Sequence, residues 1–502
     1  MSPRSISGAR AASGVLVFGA VAVTVSVACS SSSSPGPTYL TRDALLDPQT
    51  CAQCHKTYYD DWSGSMHAYA SEDPVFVAMN KRGQRETNGQ LGTFCVNCHA
   101  PMAVHEGATT DGQNLAELPS KLHGVTCFFC HTVEAVQGTH NNPLVLESDG
   151  GITMLGEYSD PVPNTAHPAA YSVLHDREYL QSSPLCGACH DIVSPPGAAI
   201  ERTYSDWQQS IFAHAESSET CGQCHMAQST NLEPIAEAPN VFARYAHAHT
   251  FPGVDIGLTP AFPNVAESAP AVQTFLDTTI QSALCVVQED GNGAIRVILD
   301  NVAAGHSVTS GSTQDRRLWT EVIAYKAGKV VYQSGVVPKG TAVTSLTNDP
   351  DLWLIRDCMF DAQGAQVNMF WQAATVESNL IPFPVTIDPT DPRYYQTHVV
   401  QYFPRSSMAM LPALPDKVTL RVLLQPVGLD VMQDLVTSGD LDPSFPPTMP
   451  TYVVPEPILT WTAEAATHTY FEGPRPVACV TDTNLNVQAD KVAAVNHVKC
   501  KP

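Results

Sequence analysis

Positive charge is scarce: 26 Lys and Arg stand against 49 Asp and Glu in 502 residues, a formal net charge of −23. That balance argues against nucleic acid as a partner and against electrostatic docking on anionic lipid, since both need basic patches. Long apolar runs are missing too. The stretch from about residue 15 to residue 28 is too short to span a membrane comfortably. Beyond residue 260 there is no phosphate-binding glycine loop, no triad signature and no His-Glu-x-x-His pair. Cysteine is sparse outside one pattern: of 15, ten belong to that pattern, one is Cys29, and Cys285, Cys358, Cys479 and Cys500 remain.

The pattern is a pentapeptide present five times: Cys51-Ala-Gln-Cys54-His55, Cys95-Val-Asn-Cys98-His99, Cys127-Phe-Phe-Cys130-His131, Cys186-Gly-Ala-Cys189-His190 and Cys221-Gly-Gln-Cys224-His225. Two cysteines three apart can both form thioethers to the vinyl groups of one porphyrin, while the next residue offers imidazole to the iron. Zinc or redox CxxC sites do not require His directly after the second Cys, and here all five copies have it. Each copy therefore specifies one covalent heme c, five in all, with His55, His99, His131, His190 and His225 as proximal ligands.

In chain order, residues 1–28 combine Arg4 and Arg10 with an apolar run, the layout of a bacterial signal peptide. Ala28 before Cys29 resembles a lipoprotein cleavage box, although Ser26 stands where such boxes usually carry Leu, Ile or Val, so Cys29 is a lipidation candidate. Residues 29–40, rich in Ser and Pro, read as a tether. The expected location is the outer membrane, on its periplasmic or cell-surface side, where disulfides persist. Residues 41–260 form the expected pentaheme domain, loop-rich and partly helical, with a helical stretch from Asp43 to Trp62. About 40 residues per heme are too few for separate domains, so the hemes must share one core. A linker is expected at 261–275, a β-sandwich at 276–475 and a tail at 476–502, an α+β multidomain chain overall. The sandwich rests on short apolar runs such as Ala294–Asn301, Leu318–Tyr325, Leu352–Phe360, Gln366–Ala373, His398–Phe403 and Lys417–Gln425, separated by Gly, Pro and Asp. The four late cysteines allow three pairings, of which Cys285–Cys358 and Cys479–Cys500 are favoured here.

Each iron needs a second axial ligand or an open face. Besides the motif histidines this half of the chain holds His67, His105, His123, His140, His167, His175, His214, His247 and His249, a surplus over five places. His140, among Asn and Gly in a loop, is expected to be a bystander.

Trp62-Ser-Gly-Ser-Met-His67-Ala-Tyr-Ala70 begins a family resemblance. With Phe94-Cys95 to His99-Ala-Pro101, Gly124-Val-Thr-Cys127, Leu185-Cys186 to His190-Asp191 and Thr220-Cys221 to His225-Met226, residues 45–255 resemble multiheme cytochromes c related to the tetraheme electron acceptor of hydroxylamine oxidoreductase. The resemblance implies that His67 and His249 are distal ligands. Asp206-Trp207-x-x-Ser210 echoes Asp61-Trp62-x-x-Ser65, but Phe212 takes the place of His67, so the echo does not extend to His214. Ala303-Ala-Gly305-His306 to Gly311 is similar to a loop in β-domains appended to such cytochromes, with Thr309-Ser310 in place of Pro-Thr. The distal candidates are therefore His67, His249, His123, His175 and His306.

The related nitrite reductases mark their open heme with CxxCK, which does not occur here. The expected function is electron transfer between other redox proteins, cytochromes among them, with a lipid anchor to the membrane. The alternative is an oxidoreductase acting on a small nitrogen or sulfur compound at one open-face heme.

Overall fold

In the first half, capping residues rather than long amphipathic runs define the helices. The stretch expected to be helical from 43 to 62 is broken into Arg42–Leu45, Pro48–Ala52 and Lys56–Ser63. Asp47 starts the second by accepting from Gln49 N at 3.0 Å, with Pro48 at the first helical position. Helix α1 (Pro74–Glu86) begins the same way, Asp73 accepting from Val75 N at 2.9 Å. Two heme motifs open helices of their own, Cys127–His131 capped by Thr126 and Cys221–His225 capped by Thr220, the latter through a capping box with Gln223. The computed structural model describes residues 39–502 except 148–149, 215–216, 264, 406–408, 482–484, 486, 489–492 and 495–502. The leader, Cys29, most of the tether and Cys500 thus lie outside the described residues.

The stretch expected as a linker is mostly helix α2 (Val265–Asp277). Val272 and Leu276, one turn apart, bury in the core of the second half, and Gln273 Nε2 donates to Val453 O at 2.8 Å. Pro270 inside the helix disguises it in the sequence. Nine longer strands follow: β1 (Ile280–Glu289), β2 (Asn292–Asn301), β3 (Arg317–Lys326), β4 (Lys329–Ser334), β5 (His398–Phe403), β6 (Lys417–Gln425), β7 (Tyr452–Thr462), β8 (His468–Glu472) and β9 (Arg475–Thr481). The β1–β2 and β3–β4 hairpins turn on Asp290-Gly291 and Ala327-Gly328, all four residues at positive φ, as tight two-residue hairpins require.

One sheet has the order β8-β9-β1-β2-β5 and then the short strand Ala493–Ala494; the other runs β4-β3-β6-β7, with Leu354–Ile355 pairing β3. Alternate residues of each, Ile295, Val297 and Leu299 on β2 and Val418, Leu420, Val422 and Leu424 on β6, are buried in one shared apolar core. Two sequence expectations shrink. Leu352–Phe360 is two short strands, Leu354–Ile355 and Asp357–Phe360, and Gln366–Ala373 keeps only Gln366–Val367 before a 3-10 turn at Phe370–Gln372.

Strand β9 occupies the beginning of the expected tail, and this changes the disulfides. β9 pairs antiparallel with β1 with Cys479 directly opposite Cys285, and these two are bonded. The expected pairings Cys285–Cys358 and Cys479–Cys500 are therefore incorrect. Cys358 is disulfide-bonded as well.

The two halves interpenetrate. Helix α3 (Leu429–Thr437), far along the chain, sends Val431, Met432 and Leu435 into the apolar core that holds Phe76 and Met79 of α1 and Phe128 and Phe129 of the third motif. Arg82 reaches Asp434 at 2.9 Å, and Arg85 holds Asp440 with two bonds. Trp371 stacks over Gly83, where a Cβ would meet its ring at 3.1 Å. No helix among the described residues is long and apolar enough to cross a membrane.

Candidate heme sites

None of the ten motif cysteines forms a disulfide. Three pairs of thiols from different motifs lie side by side: Cys51 with Cys127, Cys98 with Cys189, and Cys186 with Cys221. Sites one and three, two and four, and four and five are thereby neighbours.

All five motif histidines share one bonding pattern. Nδ1 lies against a fixed acceptor: Ile235 O for His55, Ala70 O for His99, Leu155 O for His131, the Glu201 carboxylate for His190 and Pro252 O for His225, at 2.6–3.1 Å. An imidazole that donates from Nδ1 carries its lone pair on Nε2, which is what a metal-binding histidine needs. Burial, followed by neighbouring imidazoles, pulls His67 down to about 3 and His225 and His249 to about 4, so these rings are neutral at physiological pH.

The fit to heme can be tested on ring spacing. Two imidazoles that held one metal ion between them, each through Nε2 at about 2 Å, would have ring centres about 6 Å apart. Four motif histidines have a partner at that spacing: His55 with His167 at 6.4 Å, His131 with His249 at 6.4 Å, His190 with His67 at 6.3 Å and His225 with His306 at 6.5 Å. His167, His249 and His306 each keep Nδ1 on a backbone carbonyl, of Pro168, His247 and Ser307. The residues present fit bis-histidine heme at four sites.

The other candidates fall differently. His175 is 5.7 Å from His131; its Nε2 bonds Cys130 O at 2.7 Å, and its buried Nδ1 has no hydrogen-bond partner. His123 holds Glu72 through Nδ1 at 2.9 Å and has a buried Nε2 without a hydrogen-bond partner, yet it faces no motif imidazole at pairing distance. His99 has no imidazole partner among the described residues. Its ring contact is Phe76, 4.0 Å away and nearly parallel at 7°. His140 bonds its neighbour Thr139 on the surface. His167, one of the nine histidines outside the motifs in this half, has no flanking signal; the Asn164 side chain, accepting from Ala166 N and His167 N, sets its loop.

Aromatic rings link the sites. Tyr58 lies 6.2 Å from His55 and 4.8 Å from His249, and Phe251 lies 5.6 Å from His249 and 4.5 Å from His67. Phe251 takes a left-handed backbone, φ 45°, unusual for an aromatic residue and a strain the surrounding fold must offset.

Repeated thioether motifs, paired imidazoles and shared packing define a multiheme c-type cytochrome, a carrier of covalently bound heme c. Residues 50–132 match the family model described as cytochrome c554 and c-prime. Among solved structures the fold is similar to a penta-heme cytochrome c552 from Thermochromatium tepidum, with a TM-score of 0.54 and 17% identity, covering 85% of this chain and 99% of that one. No curated protein matches the sequence.

Proposed function

We propose that the chain is a pentaheme electron-transfer protein in which sites one, three, four and five are bis-histidine. The second ligands are His167, His249, His67 and His306 in that order. The thiol pairs between motifs carry this reading, since porphyrins attached at neighbouring cysteines would have close edges, and electron tunnelling falls off steeply with edge separation. Heme supplies the one-electron couple. The chain supplies imidazoles fixed by hydrogen bonds, which limit rearrangement on reduction, and aromatic rings between sites. The path runs from site one through three to four, with two and five as branches at four. His306 belongs to the β-rich half, and its loop is tied down: Ser307 N donates to Asp206 at 3.1 Å, Gly311 N to Thr203 Oγ1 at 3.3 Å, and Thr203 and Ser310 hydroxyls bond at 2.6 Å. The two sheets, read as a β-sandwich appended to the cytochrome, thus serve as a structural part of the fifth site.

The leader and the disulfides support export to an oxidising compartment, with Cys29 lipidated and the protein on the outer membrane, exchanging electrons with other cytochromes. One observation favours the second reading, an oxidoreductase for a small nitrogen or sulfur compound: His99 has no imidazole partner among the described residues. EPR of the ferric protein with a heme count tests both. Five hemes with four low-spin signals are expected. Fewer than five hemes, or a high-spin majority, would overturn the scheme, and a fifth low-spin signal would remove the case for an open face at site two.

A further inference from the structure

Four motif histidines rest on neutral backbone carbonyls, and His190 alone rests on a carboxylate, Glu201 Oε1, at 3.1 Å. The chain is built to hold that contact. After His190 it runs into the ribbon Ile192–Val193/Ala199–Glu201, in which Ile192 pairs with Glu201. Asp191 pins the exit by accepting from Tyr204 N and Ser205 N at 3.1 and 3.2 Å. The Glu201 side chain is 16% exposed, and Thr203 donates to the same oxygen at 3.4 Å. No guanidinium bonds Glu201 among the described residues: Arg202 bonds Asp357, and Arg316 bonds both oxygens of Asp255.

We propose that Glu201 is a tuning residue that makes site four the lowest-potential heme of the five. A carboxylate is a stronger acceptor than an amide carbonyl. It draws the Nδ1 proton, makes the imidazole a more basic ligand, and favours the ferric over the ferrous state. Site four is also the junction, touching site two through Cys98–Cys189, site five through Cys186–Cys221 and site three through Phe251. A low-potential junction holds no electron at rest. Electrons collect on sites one and three or on two and five, and cross four only in transit.

This rests on heme being attached at Cys186 and Cys189, as the proposed function requires, and mass spectrometry of that peptide checks it separately. The experiment is a potentiometric titration, followed by EPR, of the full heme-loaded protein as wild type, Glu201→Gln and Glu201→Asp. Glu201→Gln should raise one midpoint potential by about a tenfold change in ferric-to-ferrous ratio, about 59 mV for one electron. Heme count and spin states should not change, and the g-values of one low-spin heme should move. Glu201→Asp should lie between wild type and Glu201→Gln. A heme-bearing Cys186 peptide with no potential moved would overturn the tuning role; a heme-free peptide would instead overturn the five-heme reading and the tuning role with it.

Discussion

His225 and His306 face each other with ring centres 6.5 Å apart and planes 19° from parallel, one in a heme motif and the other in a loop of the β-rich half. Burial is the main cause that pulls both away from protonation, so both present neutral nitrogens. His306→Ala should leave all hemes attached but convert one low-spin heme to high-spin. An unchanged EPR spectrum would show that His306 binds no iron.

Arg316 joins the halves. It is nearly buried, bonds both oxygens of Asp255 at 2.7 Å and also donates to Pro426 O. Removing one partner of a buried pair costs about 3–5 kcal/mol, and because Asp255 stays about a third exposed the lower end applies. Arg316→Ala should lower the denaturant midpoint, with the fifth site's low-spin signal lost at the new midpoint. Stability within experimental error of wild type would mean that the pair contributes nothing net.

Asp73 caps α1 and lines a small cavity together with Asp255, Leu258 and Met449. Burial, with Asp255 adding to it, pushes its carboxyl up to about 6. The folded value is above the unfolded one, so the fold binds this proton more tightly, and the contribution to stability falls as pH rises from about 4 to about 6. Asp73→Asn keeps a capping acceptor without the charge. It should flatten the pH dependence of unfolding in that window and be no less stable than wild type at pH 7. Asp73→Ala loses the cap and should cost about 1 kcal/mol. Equal pH profiles for wild type and Asp73→Asn would rule out the raised carboxyl.

The Cys285–Cys479 bond closes a sequence separation of 194 residues. Replacing both cysteines by Ser should cost about 2–4 kcal/mol in unfolding experiments without altering heme content or EPR. Peptide mapping of the unreduced protein should recover these two cysteines joined, and recovery of Cys285 joined to Cys358 would contradict the structure.

Local chemistry was legible in the sequence, and long-range geometry was not. The five motifs needed only residue spacing, and His67 could be singled out because Ser65-Met-His67-Ala68 resembles a distal-ligand motif. His306 stood out between glycines. His167 did not, because its position depends on the Met154–Gly156/Ala169–Tyr171 pairing and on Leu40 N donating to Ala166 O, contacts that no local pattern announces. The disulfide partner of Cys285 depends on which strands become neighbours, and that was decided by residues almost two hundred positions away. Helix α2 was hidden by its own proline.

The placement of β9 between β8 and β1 sets an order on the birth of the molecule. β1 cannot gain its neighbour on that side until residues 475–481 have been made, some 250 positions after the fifth heme motif. By then every Cys-x-x-Cys-His segment has long been exposed. Heme attachment can therefore run ahead of folding in the β-rich half, and the loop carrying His306 docks onto a site whose porphyrin is already in place. Strand β9 acts as a latch, and a chain cut short before residue 475 would carry its hemes yet leave β1 an open edge, ready to pair with another molecule.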